Sequence, residues 1–298
     1  MHWHPTLSQS FLIFYAITIT LEVALSQFGV LRARYQARDT AACLVMLMGN
    51  IATGGMMAGV VFAGLMFFWN HRLFTISDTS PLAWAALMLL DDFTYYWWHR
   101  IAHECRFWWT THVNHHSSQQ YNLSVALRQP WTGLIAGTWT PWIPLAFIGF
   151  PPRMILLMTT INLFYQYWIH TETINRMPRW FEFVFNTPAH HRVHHSANPR
   201  YLDSNYGGVL IVWDRLFGTF VDELPEVDPP RYGIVKNLTT FNPLVIAFHE
   251  WAAIARDLFA ARSLREAAGV VFGPPGWRAD GTGQTTRAIR AAWRAQWQ

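Results

Sequence analysis

The sequence predicts an all-α protein: a multi-pass integral membrane helical bundle with a cytosolic, histidine-rich helical lobe. Three observations predict it. Hydrophobic residues make up 52% of the 298 and charged residues only 13%, about half the usual charged share of a soluble domain, which leaves too little charge to coat a globular surface. Five apolar runs reach or approach the ~20 helical residues that cross a hydrocarbon core. Ten of the fourteen histidines fall between His99 and His195, a third of the chain.

The apolar runs are Phe11 to Leu31, interrupted by Glu22, then Ala41 to Trp69, Pro81 to Trp98, Trp131 to Phe150, and Arg153 to His170. The N-terminal MHWHPTLSQS lacks the basic flank of a cleaved secretory signal, so the first run is expected to remain as an anchor. Glu22 either faces the bundle interior and pairs with an arginine, or the span begins after it. The second run carries GNIATGGMMAGVVFAG, whose small residues permit close helix packing. The fourth and fifth meet at GFPPR, a turn that breaks both helices and predicts a hairpin.

Between the first two runs, RARYQARD holds three arginines. Cytoplasmic loops carry excess Lys and Arg, and with this loop inside, every histidine cluster lands on the cytoplasmic face. Further on, NPLVIAFHEWAAIARDLFAA has an Asn-Pro start and apolar residues at mixed three and four spacing, which predicts a helix lying in the interface plane. No repeat and no strand-rich region is evident.

The formal charge of +4 resides in Ala261 to Gln298, where six arginines face only Glu266 and Asp280. Trp277, Trp293 and Trp297 lie between those arginines, a pattern that suits anionic lipid headgroups better than nucleic acid; a solvated tail is the other reading. Cys43 and Cys105 form no CxxC, so there is neither a disulfide framework nor a thiolate metal site.

The histidines fall into boxes. His99 and His103, four apart at the end of a helical run, stack on one face. HVNHH supplies His112, His115 and His116, and HRVHH repeats that spacing with His191, His194 and His195; on a helix each trio shares a face. Eight imidazoles exceed what one tetrahedral zinc takes and fit two metal ions with open positions. Imidazole suits iron, copper, zinc and nickel alike, so ligand type does not choose the metal. Asp91 and Asp92 lie about two turns before His99, and carboxylates there are costly unless paired or useful. Asp92 shares the His99 face and is expected to accept a hydrogen bond from that ligand. The aromatic groups YYWW, FWW and YQYW line a channel or, as Trp and Tyr commonly do, crowd the interface.

The order HxxxH, HxxHH, HxxHH, with spans before the first box and between the last two, resembles the fatty acid hydroxylase and sterol desaturase superfamily. Within it, YYWWHRIAHE, HHSSQQYNLSVALRQ, WIHTE, NTPAHHRVHH and NYGGVLIVWDRLFGTF resemble the alkylglycerol monooxygenase branch. The likeness covers about residues 85–222, the expected catalytic core of a single membrane-embedded domain spanning residues 1–298, with 261–298 as its basic tail. It implies two irons that use O2 to attack an unreactive C–H bond of a lipid, with His99, His103, His112, His115, His116, His191, His194 and His195 as ligands. His170 matches a position that supplies a further ligand in related hydroxylases, although Ile174 stands where a second histidine often follows. His190 is expected to orient a ligand.

Glu104 directly follows the first box, as a glutamate does in the animal ether-lipid enzymes. The spacing HxxxHE is not the HExxH of a zinc protease; Glu104 hydrogen-bonds a ligand, coordinates directly, or pairs with Arg100. With Asp92 it is the candidate catalytic carboxylate. In that branch the carbon beside an ether oxygen is hydroxylated and tetrahydrobiopterin is the reductant in animals; an electron-transfer protein is the other donor, and no motif marks a cofactor-binding residue. Sterol, fatty acyl and aminolipid hydroxylation or desaturation stay open within the superfamily. Outside it, a histidine-rich metal transporter would string ligands along several spans, and a zinc hydrolase would need fewer of them.

Overall fold

The computed structural model describes residues 7–296; MHWHPT at the N-terminus and Trp297 lie outside the described residues. The first two helices, α1 (Leu7–Gln27) and α2 (Ala37–Asn70), are long and apolar enough to cross a membrane. The third, α3 (Pro81–Glu104), starts at Ser80, whose hydroxyl accepts from the Ala83 N–H with Pro81 in the first turn, so that one of the unpaired N–H groups of the helix start is satisfied and another is absent. It runs through the third apolar stretch into the first box without a break. Cys105, in extended conformation, separates it from α4 (Arg106–His116), which carries the second box.

The fourth apolar run is not a spanning helix. Gly137 takes φ +76°, Pro141 and Pro144 interrupt the backbone donors, and only a 3-10 turn at Thr140–Trp142 and the six-residue α5 (Ile143–Ile148) form. After the Gly149 turn comes α6 (Pro152–Tyr167), of 16 residues. The expected hairpin therefore exists, with one short arm and one ending before His170. Then follow α7 (Arg179–Val184), α8 (Pro188–His194) with the third box, α9 (Val212–Phe217), α10 (Pro243–Ala260), α11 (Leu264–Phe272) and α12 (Thr286–Ala295). Among the described residues there is no strand, only two isolated bridges, Phe185 with Leu210 and Ser196 with Tyr232.

The hairpin packs on α2 and α3 through Val61, Leu65, Leu87, Leu145, Met154 and Ile155, all buried. Two of the small residues expected to allow close packing do so by receiving indoles: a Cβ on Gly49 would sit 2.1 Å from Trp131, and one on Gly64 would sit 2.5 Å from Trp139. Gly54, Gly55 and Gly59 have nothing within 4 Å. The expected α10 forms behind the cap of Asn242 and lays Ile246 and Ala247 against Ala42 and Met46 of α2.

Buried charges fasten these elements. Arg128 reaches Asp39 of α2 at 3.1 Å while its Nε donates to the Asn114 carbonyl and the Ser117 hydroxyl at the end of α4. Arg106 holds α4 to α10 through Glu250 at 2.6 Å and Asp257 at 2.7 Å. Glu22 faces inward, but its partners are hydroxyls and an amide, not an arginine: Tyr35, Thr171, Thr173 and the Leu123 N–H. Four donors satisfy a buried carboxylate as an ion pair would. The basic tail carries α11 and α12: Arg290 of α12 donates to the Leu202 carbonyl, and Arg200 lies over the Trp293 ring at 5.2 Å.

Candidate metal centre

The last turns of α3 and α4, the whole of α8 and His170, three residues past the end of α6, converge on one buried space. Nine imidazoles line it, in two groups. His99, His103, His112, His116 and His194 form one, and His115, His170, His191 and His195 the other; in each, the candidate donor atoms lie within 4.8 Å of one another. Every one of the nine is buried.

The grouping cuts across the boxes. Each HxxHH contains one pair four residues apart, His112 with His116 and His191 with His195, plus a middle ring about a third of a turn away. The middle rings are exchanged: His194 joins the His112/His116 pair, and His115 joins His191/His195. Each trio faces the one buried space, and the exchange divides it between the two groups. His170, carried by no box, completes the four-imidazole group.

Donor spacing fits a metal. His99 and His112 present Nε2 atoms 2.8 Å apart, and His112 and His116 lie 3.1 Å apart. In the other group the Nε2 separations are 3.1 Å for His115–His170, 3.0 Å for His170–His191 and 3.2 Å for His191–His195. Metal–nitrogen bonds of about 2.1 Å place neighbouring donors roughly 3 Å apart around one ion. Buried Nε2 atoms of His103 and His194 have no hydrogen-bond partner, a cost that a cation removes. Burial first, and the neighbouring imidazoles second, push His112, His115, His116, His191, His194 and His195 well below the usual histidine range. The rings are therefore neutral and their lone pairs free.

Outer hydrogen bonds orient several of them. His99 Nδ1 donates to the Tyr206 carbonyl at 2.8 Å, His194 Nδ1 to the Ser204 carbonyl at 3.0 Å, and His103 Nδ1 meets Asp203 Oδ1 at 3.2 Å. In the other group His170 Nδ1 donates to the Gln166 carbonyl at 2.7 Å. Such bonds fix the tautomer that leaves Nε2 as the donor.

The expected carboxylates take different places. Asp92 does not accept from His99; it accepts the Val209 and Leu210 N–H groups, the Trp213 indole and Asn162. It thus clamps the NYGG loop rather than a ligand. Asp91 takes Trp142, Thr159 and Asn162. Glu104 pairs with Arg100 at 2.9 Å on the outer face of α3, its side chain half exposed, because the residue after His103 points about 100° away from it. His190 packs beside Phe220 outside both groups, and burial lowers it to about 4; its carbonyl accepts from Asn205.

Sequence reasoning missed four supports. Asp214 receives the Tyr206 and Gly207 N–H groups at 2.7 Å each. Arg192, between two ligands, grips Glu223 at 2.7 and 2.8 Å and donates to the carbonyls of Thr171, Ile174 and Asn175. Arg128 and Asp203 complete the set. The signal for the arginines was a charge inside an otherwise apolar or histidine-filled stretch.

His103, His116 and His194 also line a cavity of about 540 Å3, whose other walls include Trp109, Asp203, Lys236, Glu250 and Arg256. No residue of the four-imidazole group borders it.

Two adjoining, buried all-imidazole groups in a helical protein define a histidine-box centre with the geometry to hold metal ions. Residues 84–219 match the family model described as fatty acid hydroxylase. The chain is 42% identical over 220 residues to alkylglycerol monooxygenase of Xenopus tropicalis, covering 74% of this chain and 48% of the relative. It is 43% identical over 216 residues to the Homo sapiens protein of that name, covering 71% and 46%. It is 30% identical over 156 residues to ornithine lipid hydroxylase OlsE of Rhizobium tropici, covering 52% and 45%. The chain spans about half the length of these curated relatives. No solved structure matches it significantly.

Proposed function

We propose that the chain is a multi-pass membrane di-iron monooxygenase that hydroxylates a lipid C–H bond with O2, an ether lipid of the alkylglycerol type being the specific substrate. The observation that carries this reading is the pair of adjoining imidazole groups, five and four, with Nε2 separations near 3 Å. Two irons held there would supply, from dioxygen, an oxidant strong enough for an unactivated methylene. The ligands of the two irons are the nine histidines, His170 among them.

The chain's own part is to hold neutral donors in place, aim one carbon and admit electrons. Backbone carbonyls of Ser204, Tyr206 and Gln166 set ring orientation. The lipid enters from the side of α1, α2 and α3, while the cavity beside His103, His116 and His194, with Asp203, Lys236 and Arg256 in its wall, gives a water-borne donor access. With the arginine-rich Arg32–Arg38 loop in the cytoplasm, the centre faces that compartment. A transporter would spread its ligands along spans, and a zinc hydrolase would need fewer than nine. The names of the relatives favour the ether lipid over sterols and acyl chains.

The test is to purify the full chain in detergent, count iron, and follow oxygen-dependent turnover of alkylglycerols beside sterols and acyl lipids. Two irons per chain and aldehyde release from the alkylglycerol are expected, both reduced in His194→Ala. Undiminished turnover in that variant, or turnover without iron, overturns the assignment.

A further inference from the structure

The outer partners of the two imidazole groups differ in charge. Within the described residues, His103 with Asp203 is the one histidine–carboxylate contact within 4.0 Å; the outer partner of His170 is a neutral carbonyl. Asp203 sits in an unusual stretch. It takes φ +50° and Asn205 takes φ +57°, a region that side-chain-bearing residues enter at a cost. Three of the five rings in one group lean on residues 203–206: His103 on Asp203, His194 on Ser204 and His99 on Tyr206.

The stretch is held from behind on every side. Asp214 takes the N–H groups of Tyr206 and Gly207. Asn205 donates to the carbonyls of His190 and Val221 and accepts the Val221 N–H. Strain persists only where the surroundings over-determine it, and these bonds do so. The result is one short loop that serves one metal site and not the other.

We infer that Asp203 is a positioning residue specific to the five-imidazole site, and that its negative charge makes the two metal sites inequivalent. A carboxylate accepting the Nδ1–H of a ligand fixes its tautomer and raises its basicity. The site that has one binds a divalent cation more tightly than the site that has only neutral outer partners. This rests on the reading of both groups as metal sites.

The test uses Co2+ titration of the metal-stripped full chain in detergent, followed by visible absorption. The backbone at Asp203 suits Asn and Gly as well as Asp, so Asp203→Asn removes the charge at constant shape, and Asp203→Gly removes the carboxylate without strain. Both variants should weaken one of two Co2+ equivalents by about 10- to 100-fold and shift the absorption of that equivalent alone. In a His191→Ala background the Asn change should weaken the remaining equivalent; in a His99→Ala background it should leave the remaining equivalent unchanged. Two equivalents bound as in the wild type, or both weakened together, overturn the inference while the metal reading stands. A wild type that takes up no Co2+ overturns both.

Discussion

His115 and His194 are exchanged between the two HxxHH boxes: the His115 ring lies 4.6 Å from His195 of the third box, and the His194 ring 4.6 Å from His116 of the second. The exchange interlocks α4 with α8, so neither imidazole group can be built from one box. Substitution effects should follow the spatial groups. His115→Ala with His191→Ala, both in the four-imidazole group, should leave about one metal per chain, whereas His115→Ala with His116→Ala should leave none. Elemental analysis of the purified double variants decides this; equal losses in the two would reject the grouping.

Arg192 and Glu223 are both buried, with side chains 7% and 3% exposed. Removing one partner strands the other charge away from water. Arg192→Met should therefore lower stability by about 3–5 kcal/mol, and adding Glu223→Gln should recover part of that. Thermal unfolding of the three proteins in one detergent gives the comparison, and a single variant as stable as the wild type would show the pair to be dispensable.

Gly208 has no room for a side chain. A Cβ there would lie 2.7 Å from Asn162 Oδ1, 2.8 Å from Asp92 Oδ1 and 2.9 Å from Tyr95, and the first two atoms are held in hydrogen bonds. Gly208→Ala should cost about 1–3 kcal/mol by overpacking and reduce metal content by displacing the neighbouring Tyr206 carbonyl. An unchanged melting temperature and metal count would mean the clamp yields freely.

The six histidines held well below their usual range by burial and by one another tie the metal-free fold to pH. In the unfolded chain the same rings titrate near the ordinary ~6.5. Below that value the unfolded chain takes up protons that the folded chain refuses, so the contribution is complete above ~6.5 and declines as pH falls toward the lowered folded values. Melting temperatures of the chelator-treated protein should drop steadily between pH 7 and pH 5. A flat profile would mean that the rings protonate freely in the folded state.

Much of this site could be read from the chain, for physical reasons. HxxxH and HxxHH fix rings on a helix through the 3.6-residue period, so the helical setting of α3, α4 and α8 followed from spacing. What spacing could not supply was the angle at which α4 crosses α8, and with it the exchange of His115 and His194. Asp92 was placed on the correct face of α3, but a face does not say whether a ring or a loop N–H arrives there. Asp203 lies in a loop, and Asp214 in the first turn of α9 grips that loop from eight residues or fewer away in sequence; the loop's shape depends on these and longer-range bonds, which no local pattern encodes. The fourth apolar run read as a span because hydropathy ignores Gly137, Pro141 and Pro144, whose backbone demands outweigh it.

The second helix has 34 residues, about 51 Å at the usual rise, against a hydrocarbon thickness of about 30 Å. Its first turn grips Arg128 under the histidines, and its last residues meet the Gly149 turn at the other end. On the proposed reading it acts as a gauge rod: the height of the histidine centre above the acyl chains is set by how many turns it contains. On that reading, deleting a turn from its middle should lower the histidine centre by about 5.4 Å and move the point of attack along a bound lipid without touching a single histidine.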